Sequence, residues 1–423
     1  MLKQKVNSVL KNKTVRDGGL FSIFSFFNKG IGFVLMVILA RYIAPTQYGE
    51  LSIFNTIAMF LSYFVGLETV GYLSISFFKA DKDDFKKDFT SICIITCVVT
   101  SLICLIFIAL QSCLSEWLKV STSFLLIGIA ISFFQVFSRL NLDYLRVNER
   151  VSMYGLLSCS FAALNMFITL YLVIVSDLNW QGKVYAELCT TIIYFLISIV
   201  CFSKRRLFCI SLEWNRYKKI ILWGLPIIPH LASDWIKQGL DRYIIESNYT
   251  MADVGLFSFA LSLAGVMLMV GTAFNQTNSV NLFQTLSSNL PNEDKIRILK
   301  KKEKYFIFLY AICTIAIAFG GCVFIPFLMP KYAIAIPYFA ILLIFGMLKC
   351  VYFLYANYLF YYNKTKILMY ITFGSSIFHL CLSLLFTRYS LYLTCIIYVI
   401  TQTVITVSVY LLVKKQLKII FFN

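Results

Sequence analysis

Charge is scarce in this chain. Only 14% of its 423 residues are Asp, Glu, Lys or Arg and 60% are hydrophobic, whereas an ordinary soluble domain carries about a quarter charged residues. No long polar tract relieves the apolar sequence, and a soluble core could not hide so much of it. A soluble enzyme, a secreted disulfide domain and a disordered adaptor are therefore excluded. Acidic residues are scarcer still, 20 against 38 Lys and Arg, and His occurs twice. The 13 Cys include no C-x-x-C pair, and most sit inside apolar runs, as do Cys93, Cys97, Cys313 and Cys350. They read as small packing residues, so neither disulfides nor a metal site is expected. A G-x-x-x-x-G-K-[ST] phosphate loop is also missing from Asn275 to Lys304, the longest connection on the inner side, which excludes nucleotide hydrolysis by that route.

What is present is a series of apolar runs. Each membrane-spanning helix needs roughly 20 such residues, and twelve runs qualify, from Leu20 to Ala40 through Ile220 to Leu240 as the seventh to Leu391 to Val413. The expected fold is an all-α polytopic membrane protein of about twelve transmembrane helices. An even number puts both termini on one side. That side receives 29 of the 38 Lys and Arg and the other side 7, while Lys29 and Lys349 fall within spans. The positive-inside rule then places both termini in the cytoplasm. The formal charge of +18 is thus mainly an orientation signal, and nucleic acid is not an expected partner. The basic start, Met1 to Arg16, precedes a full-length span and reads as a signal anchor. All outer connections are short, leaving no outer domain for catalysis, so the chain is not expected to be an enzyme.

A weak internal repeat orders the spans. After the first comes A-R-Y-I-A-P-T-Q-Y-G-E-L-S-I-F (Ala40 to Phe54); after the seventh comes D-R-Y-I-I-E-S-N-Y-T-M-A-D-V-G-L-F-S-F (Asp241 to Phe259). Both share R-Y-I and then run through a Gly into an aromatic-rich span. A second echo joins Tyr144 to Glu149 with Tyr358 to Lys364. A shift of six spans preserves sidedness, so the repeat implies two parallel six-helix lobes, residues 1–205 and 206–423, around a central cavity. The segment from Gly224 to Ile245, followed by Val254 to Ala260, resembles the start of the second lobe in bacterial polysaccharide flippases of the O-antigen (Wzx) type. The run A-R-Y-I-A-P-T-Q-Y-G is similar to that family's first outer loop. The resemblance implies the multidrug/oligosaccharidyl-lipid/polysaccharide exporter fold and an inner-membrane flippase. It also implies a substrate, an undecaprenyl-pyrophosphate-linked oligosaccharide carried from inner to outer leaflet. A polysaccharide polymerase and a chain-length regulator would be partners. A cation-coupled multidrug exporter of the same fold is the alternative. No cofactor is expected beyond a coupling H+ or Na+.

A charge inside hydrocarbon costs about 2.5 to 3.5 kcal/mol, so each one needs a reason. In the seventh span, His230, Asp234, Lys237 and Asp241 are spaced to share one face of a continuous helix; with Arg242 they form the expected ion-coupling stripe. For Lys237, Asp241 and Arg242 the competing reading is snorkelling at a helix end. Pro226 and Pro229 should kink this span. Lys29, Lys349 and Arg139 are the candidates for holding pyrophosphate, the lysines as point charges. An ion pair with Glu187 or Glu68 is the structural alternative for the lysines, and a solvated pair with Asp143 for Arg139. His379, mid-span in the eleventh helix, reads as a hydrogen-bonded packing residue or a second proton-coupling group. The Tyr cluster around the tenth span, which includes Tyr355 and Tyr358, reads as an interfacial belt.

Overall fold

The computed structural model describes residues 13–422, and all of their regular structure is helical. Residues 1–12 of the basic start lie outside the described residues. The chain forms two compact units, one of Met1–Tyr42 with Ile53–Trp235 and the other of Ile43–Ser52 with Ile236–Asn423.

In the first unit, α1 (Lys13–Tyr42) leads into α2 (Pro45–Val65), whose opening turns belong to the second unit. A 3-10 turn, Thr69–Gly71, then leads into α3 (Tyr72–Lys79). There follow α4 (Lys82–Ala109), α5 (Gln111–Leu118), α6 (Thr122–Val147), α7 (Val151–Leu170, prolonged by a π-helical turn to Val175) and α8 (Asn179–Lys204). Next come α9 (Trp214–Gly224) and α10 (Ile227–Gln238). The second unit continues with α11 (Leu240–Asn248), α12 (Met251–Ser287), α13 (Asn292–Leu328), α14 (Ile336–Tyr361), α15 (Thr365–Phe386) and α16 (Leu391–Phe422). Within it α14 packs along both α12 and α16.

Among the described residues ten helices are long and apolar enough to cross a membrane, and α2 with Thr69–Lys79, bent by 51°, makes an eleventh if the two are counted as one broken span. The bend falls at Gly66 to Glu68, where Leu67 and Glu68 adopt left-handed backbone (φ 45° and 50°). Glycines pin it from outside. A Cβ on Gly224 would run into the Leu67 carbonyl oxygen, and one on Gly71 would lie 2.6 Å from the Trp223 ring.

The seventh expected span is not one kinked helix but α9, α10 and α11. Pro229 is not the kinking residue within a helix. It occupies the first turn of α10, where no intrahelical N–H is required, and the chain breaks before it at Leu225 and Pro226. The second interruption is Gly239.

The passage from one unit to the other also differs from the 205/206 boundary expected from sequence, lying at Trp235 and Ile236. The segment following α8 is tied to the first unit. Arg216 spans to Asp88 at 2.5 Å, to Asp84 at 2.7 Å and to Glu213 at 3.3 Å. Asp88 in turn accepts from Ser76, and the Cys209 N–H donates to Thr90. Arg205 reaches Asn141 and lies over the Tyr144 ring. Replacing Arg216 by Ala would leave Asp88, 6% exposed, without its cation, a loss of about 2 kcal/mol or more. Limited proteolysis should then cut between residues 205 and 213 where the parent protein resists. Ser211, donating to Glu213, holds that carboxyl below its usual range, aided by Arg216 and Lys87. This contribution is present above the unfolded-state value and is lost as pH falls through the lowered folded one.

Candidate functional site

Two stripes of small polar residues meet inside the second unit. On α15 the buried polar side chains are Ser375, Ser376, His379 and Ser383; on α16 they include Thr394, Thr401, Gln402 and Thr406. Ser376, His379 and Ser383 are three and four residues apart and Thr394 and Thr401 seven apart, the spacings of one helix face. Between them lies an ionisable pair. Asp241, at the start of α11 and 0% exposed, meets His379, 1% exposed, with Nε2 and Oδ2 2.8 Å apart. The other imidazole nitrogen, Nδ1, is 3.1 Å from the Thr401 hydroxyl. Tyr398 packs edge-on against the imidazole at 4.8 Å and donates its hydroxyl proton to the Lys237 carbonyl. The second carboxylate oxygen, Oδ1, is buried with no hydrogen-bond partner among the described residues.

The geometry admits two proton inventories. The Thr401 hydroxyl is within reach of the Ile397 carbonyl at 2.7 Å. When it donates there, it accepts from Nδ1–H, and a proton must lie between Nε2 and Asp241; the pair is then neutral overall. When the hydroxyl turns to donate to Nδ1, Nε2–H donates to a carboxylate and the pair carries one negative charge. The two states differ by one proton and one hydroxyl rotation, within a fixed frame of heavy atoms.

The stripe expected on one helix is divided. Asp234, exposed, belongs to α10 and the first unit, whereas Lys237 and Arg242 are half-buried and, with Asp241, belong to the second. Gly239 interrupts the helix between them, so the shared-face geometry does not hold across it. His230 lies on α10, and its side chain is outside the described residues. Arg242 donates to Ser258 at 3.1 Å and to the Gln238 carbonyl at 2.8 Å, a local bracing that simple snorkelling did not anticipate. Pro226 sits in the break before α10.

Lys29 is exposed on α1, and Lys349 is half-buried on α14 with its ammonium 5.9 Å from the Phe345 ring centre. The carboxylates considered as their partners are engaged elsewhere. Glu187 pairs with Lys183 at 3.5 Å and accepts from Gln135, and Glu68 faces Arg139 at 3.9 Å. The direct ion pair of Asp143 is with Arg146, at 2.8 Å, and not with Arg139, which acts on it only from farther away. The left-handed break of the second span turns Glu68 toward α6, and no spacing rule could have foretold that. Tyr355 and Tyr358 are buried rather than interfacial, and Tyr355 donates to Glu303 at 2.5 Å. Among the described residues no group of three or more His, Cys, Asp or Glu could hold a metal ion. Thr401 and Tyr398 escaped the sequence reading. Their signal is the T-x-x-x-Y-x-x-T spacing along α16 opposite S-S-x-x-H-x-x-x-S in α15.

Known proteins resemble the chain along most of its length. A protein of the Lsg locus of Haemophilus influenzae is 23% identical over 366 residues, covering 84% of this chain and 87% of that protein. An uncharacterized membrane protein of the same organism is 24% identical over 359 residues, 83% and 85% of the two chains. Among solved structures, the inward-facing conformation of a multidrug resistance MATE family transporter of the MOP superfamily superposes with a TM-score of 0.72. It is 15% identical and covers 92% of this chain and 94% of its own. The outward-facing conformation of a MATE transporter gives 0.63 at 15% identity, with 94% of each chain covered. At such identities the likeness concerns fold, and the fold is the expected one, all-α and polytopic. The profile of the family described as polysaccharide biosynthesis protein matches residues 14–280, more than half of the sequence. The chain therefore belongs to the polysaccharide biosynthesis protein family and carries the fold of the MOP superfamily.

Proposed function

We propose that this protein is a bacterial inner-membrane flippase. It moves an undecaprenyl-pyrophosphate-linked oligosaccharide, an O-antigen unit or a related surface glycan, from inner to outer leaflet by alternating access. The observation that supports the reading is the Asp241–His379 pair: two ionisable side chains in contact, buried inside one unit of a polysaccharide biosynthesis family member. A structural scaffold has no need of it, since polar and ionisable groups at such depth are expensive. The pair takes up and releases the coupling H+; a small cation such as Na+ at the unpartnered Oδ1 is the other occupant of the same site. Lys237 and Arg242, in the same compact unit as Asp241, supply polar surroundings. Lys29, Lys349 and Arg139 attract the pyrophosphate as positive charges, and the polyprenyl tail stays in lipid. Both termini face the cytoplasm, where the basic residues gather. Lipid and glycan are moved without any bond being made or broken. A polymerase and a chain-length regulator would act on the delivered units.

Complementation of a defined flippase-null strain tests the reading. The parent gene should restore surface glycan, and the Lys29→Ala/Lys349→Ala double variant should restore less than about a tenth of it, given that each lost charge contact is worth about 1 kcal/mol or more. Restored drug tolerance with no restored glycan would instead identify a drug exporter of the same fold. Wild-type glycan display in the double variant would remove the two lysines from the mechanism.

A further inference from the structure

We propose that the exposed face of α13 binds the headgroups of anionic phospholipids at the membrane surface. This helix runs for 37 residues, about 55 Å at 1.5 Å per residue, against about 30 Å of hydrocarbon. Counted back from Leu328, one hydrocarbon thickness of about 20 residues ends near Phe308. The turns from Asn292 to Lys304 therefore project beyond the apolar layer, on the side to which the charge distribution assigns the cytoplasm.

The exposed residues of the two parts lie on one arc. In the apolar part Phe308, Ile312, Ile315 and Phe319 are 66%, 46%, 69% and 74% exposed, and almost none of the helix's apolar window is buried. Beyond Phe308 the same arc passes into Lys304, Lys301, Lys300 and Arg297, all exposed. At 100° per residue the eight positions fall within about 120° of one another. A lipid whose acyl chains lie along Phe308 to Phe319 would bring its headgroup among four cations.

Those cations are available. None of the four makes a hydrogen bond or ion pair among the described residues, whereas Lys86, Lys87 and Arg216 are each engaged by carboxylates. The acid within the basic segment, Glu303, points off the arc and is held by Tyr355. Glu293 and Asp294 occupy the first turn of the helix, where negative charge complements its N-terminus. A free anion would gain nothing from the apolar half of the stripe, and a zwitterionic lipid brings no net charge to the basic half. An anionic phospholipid uses both. Basic clusters next to a transmembrane helix attract such lipids at short range. The inference is independent of the transported substrate.

Native mass spectrometry of the purified full-length protein, titrated with phosphatidylglycerol and with phosphatidylcholine, tests it. The parent protein should favour phosphatidylglycerol by about tenfold or more. The R297Q/K300Q/K301Q/K304Q variant should bring the two lipids to within about twofold. The K364Q/K366Q/K414Q/K415Q variant, with the same loss of charge elsewhere on that side, should keep the preference. Glycerol phosphate, the soluble headgroup, should not displace the lipid. No preference in the parent protein, equal loss in the two variants, or displacement by glycerol phosphate would each overturn the proposal. If the quadruple variant fails to fold, K300Q/K304Q is read in the same way, with an intermediate loss expected and an unchanged preference counting against it.

Discussion

Replacing Asp241 or His379 by alanine should remove surface glycan from a complemented flippase-null strain and also lower the stability of the purified protein. The reason lies in their burial. With both side chains at or below 1% exposure and 2.8 Å apart, deletion of either leaves the other in an apolar lobe without its partner. Breaking a buried pair in this way costs about 3–5 kcal/mol, a large share of the stability of a typical domain. The double variant D241A/H379A leaves no orphan. Its loss should therefore fall short of the sum of the single losses by about 1 kcal/mol or more, as read from thermal unfolding in detergent. Asp241→Asn separates packing from proton chemistry. The amide fills the same volume and still meets Nε2, so stability should change little, while the carboxylate to which the proposed mechanism assigns the exchanged proton is gone. Glycan display should then fall by about tenfold or more. Additive single losses would show that the two residues do not act as a pair. Full activity in D241N would end the proposal that this pair couples transport to protons. Thr401→Val adds a graded test, because it keeps the side-chain volume and removes the hydroxyl that distinguishes the two proton states.

How far the sequence led depends on what each feature required. Apolar runs are long-range averages, so among the described residues ten of the expected spans fall largely within single helices, some of them longer than the run itself, and the fold class followed from them. Breaks are local and are set by what packs outside them. Nothing in Leu67 or Glu68 announces left-handed backbone; the carbonyl of Leu67 is exposed to close approach by Gly224, 157 residues later. The seventh region was marked as unusual by its two prolines. Helix spacing alone nonetheless put Asp234 and Asp241 on one stripe, because it could not foresee the interruption at Gly239. Of the site itself the sequence offered the ionisable residues singly. Pairing Asp241 with His379 requires α11 and α15 to be neighbours, and 138 residues separate the two. A single chain, read without the fold, carries no sign of that contact.

Gly255→Ala should be among the most damaging single substitutions in the protein, although in a free helix it would stabilise by about 0.5–1 kcal/mol. The two R-Y-I segments each run on to a glycine, Gly49 in Q-Y-G and Gly255 in D-V-G, and the structure supplies the cause: the two helices touch there. A Cβ on Gly255 would overlap the Pro45 carbonyl oxygen and approach the Gly49 nitrogen to 3.0 Å; one on Gly49 would overlap the Met251 carbonyl oxygen. These obstacles are backbone atoms, which no rotamer change can move aside. The opening turns of α2 and α12 would have to separate, undoing the packing of Tyr48 against Phe259 and Tyr332. Overpacking of this kind costs about 1–3 kcal/mol where side chains can yield, and here the loss should reach about 3 kcal/mol or more. The same helix provides the control. Gly265 has nothing within 4 Å of its would-be Cβ, so Gly265→Ala should be neutral or stabilising by up to about 1 kcal/mol. Thermal unfolding of the two variants in detergent should move in opposite directions from the parent. If Gly255→Ala is tolerated as well as Gly265→Ala, the glycines of the repeat do not serve the close approach of α2 and α12, and their recurrence after each R-Y-I needs another cause.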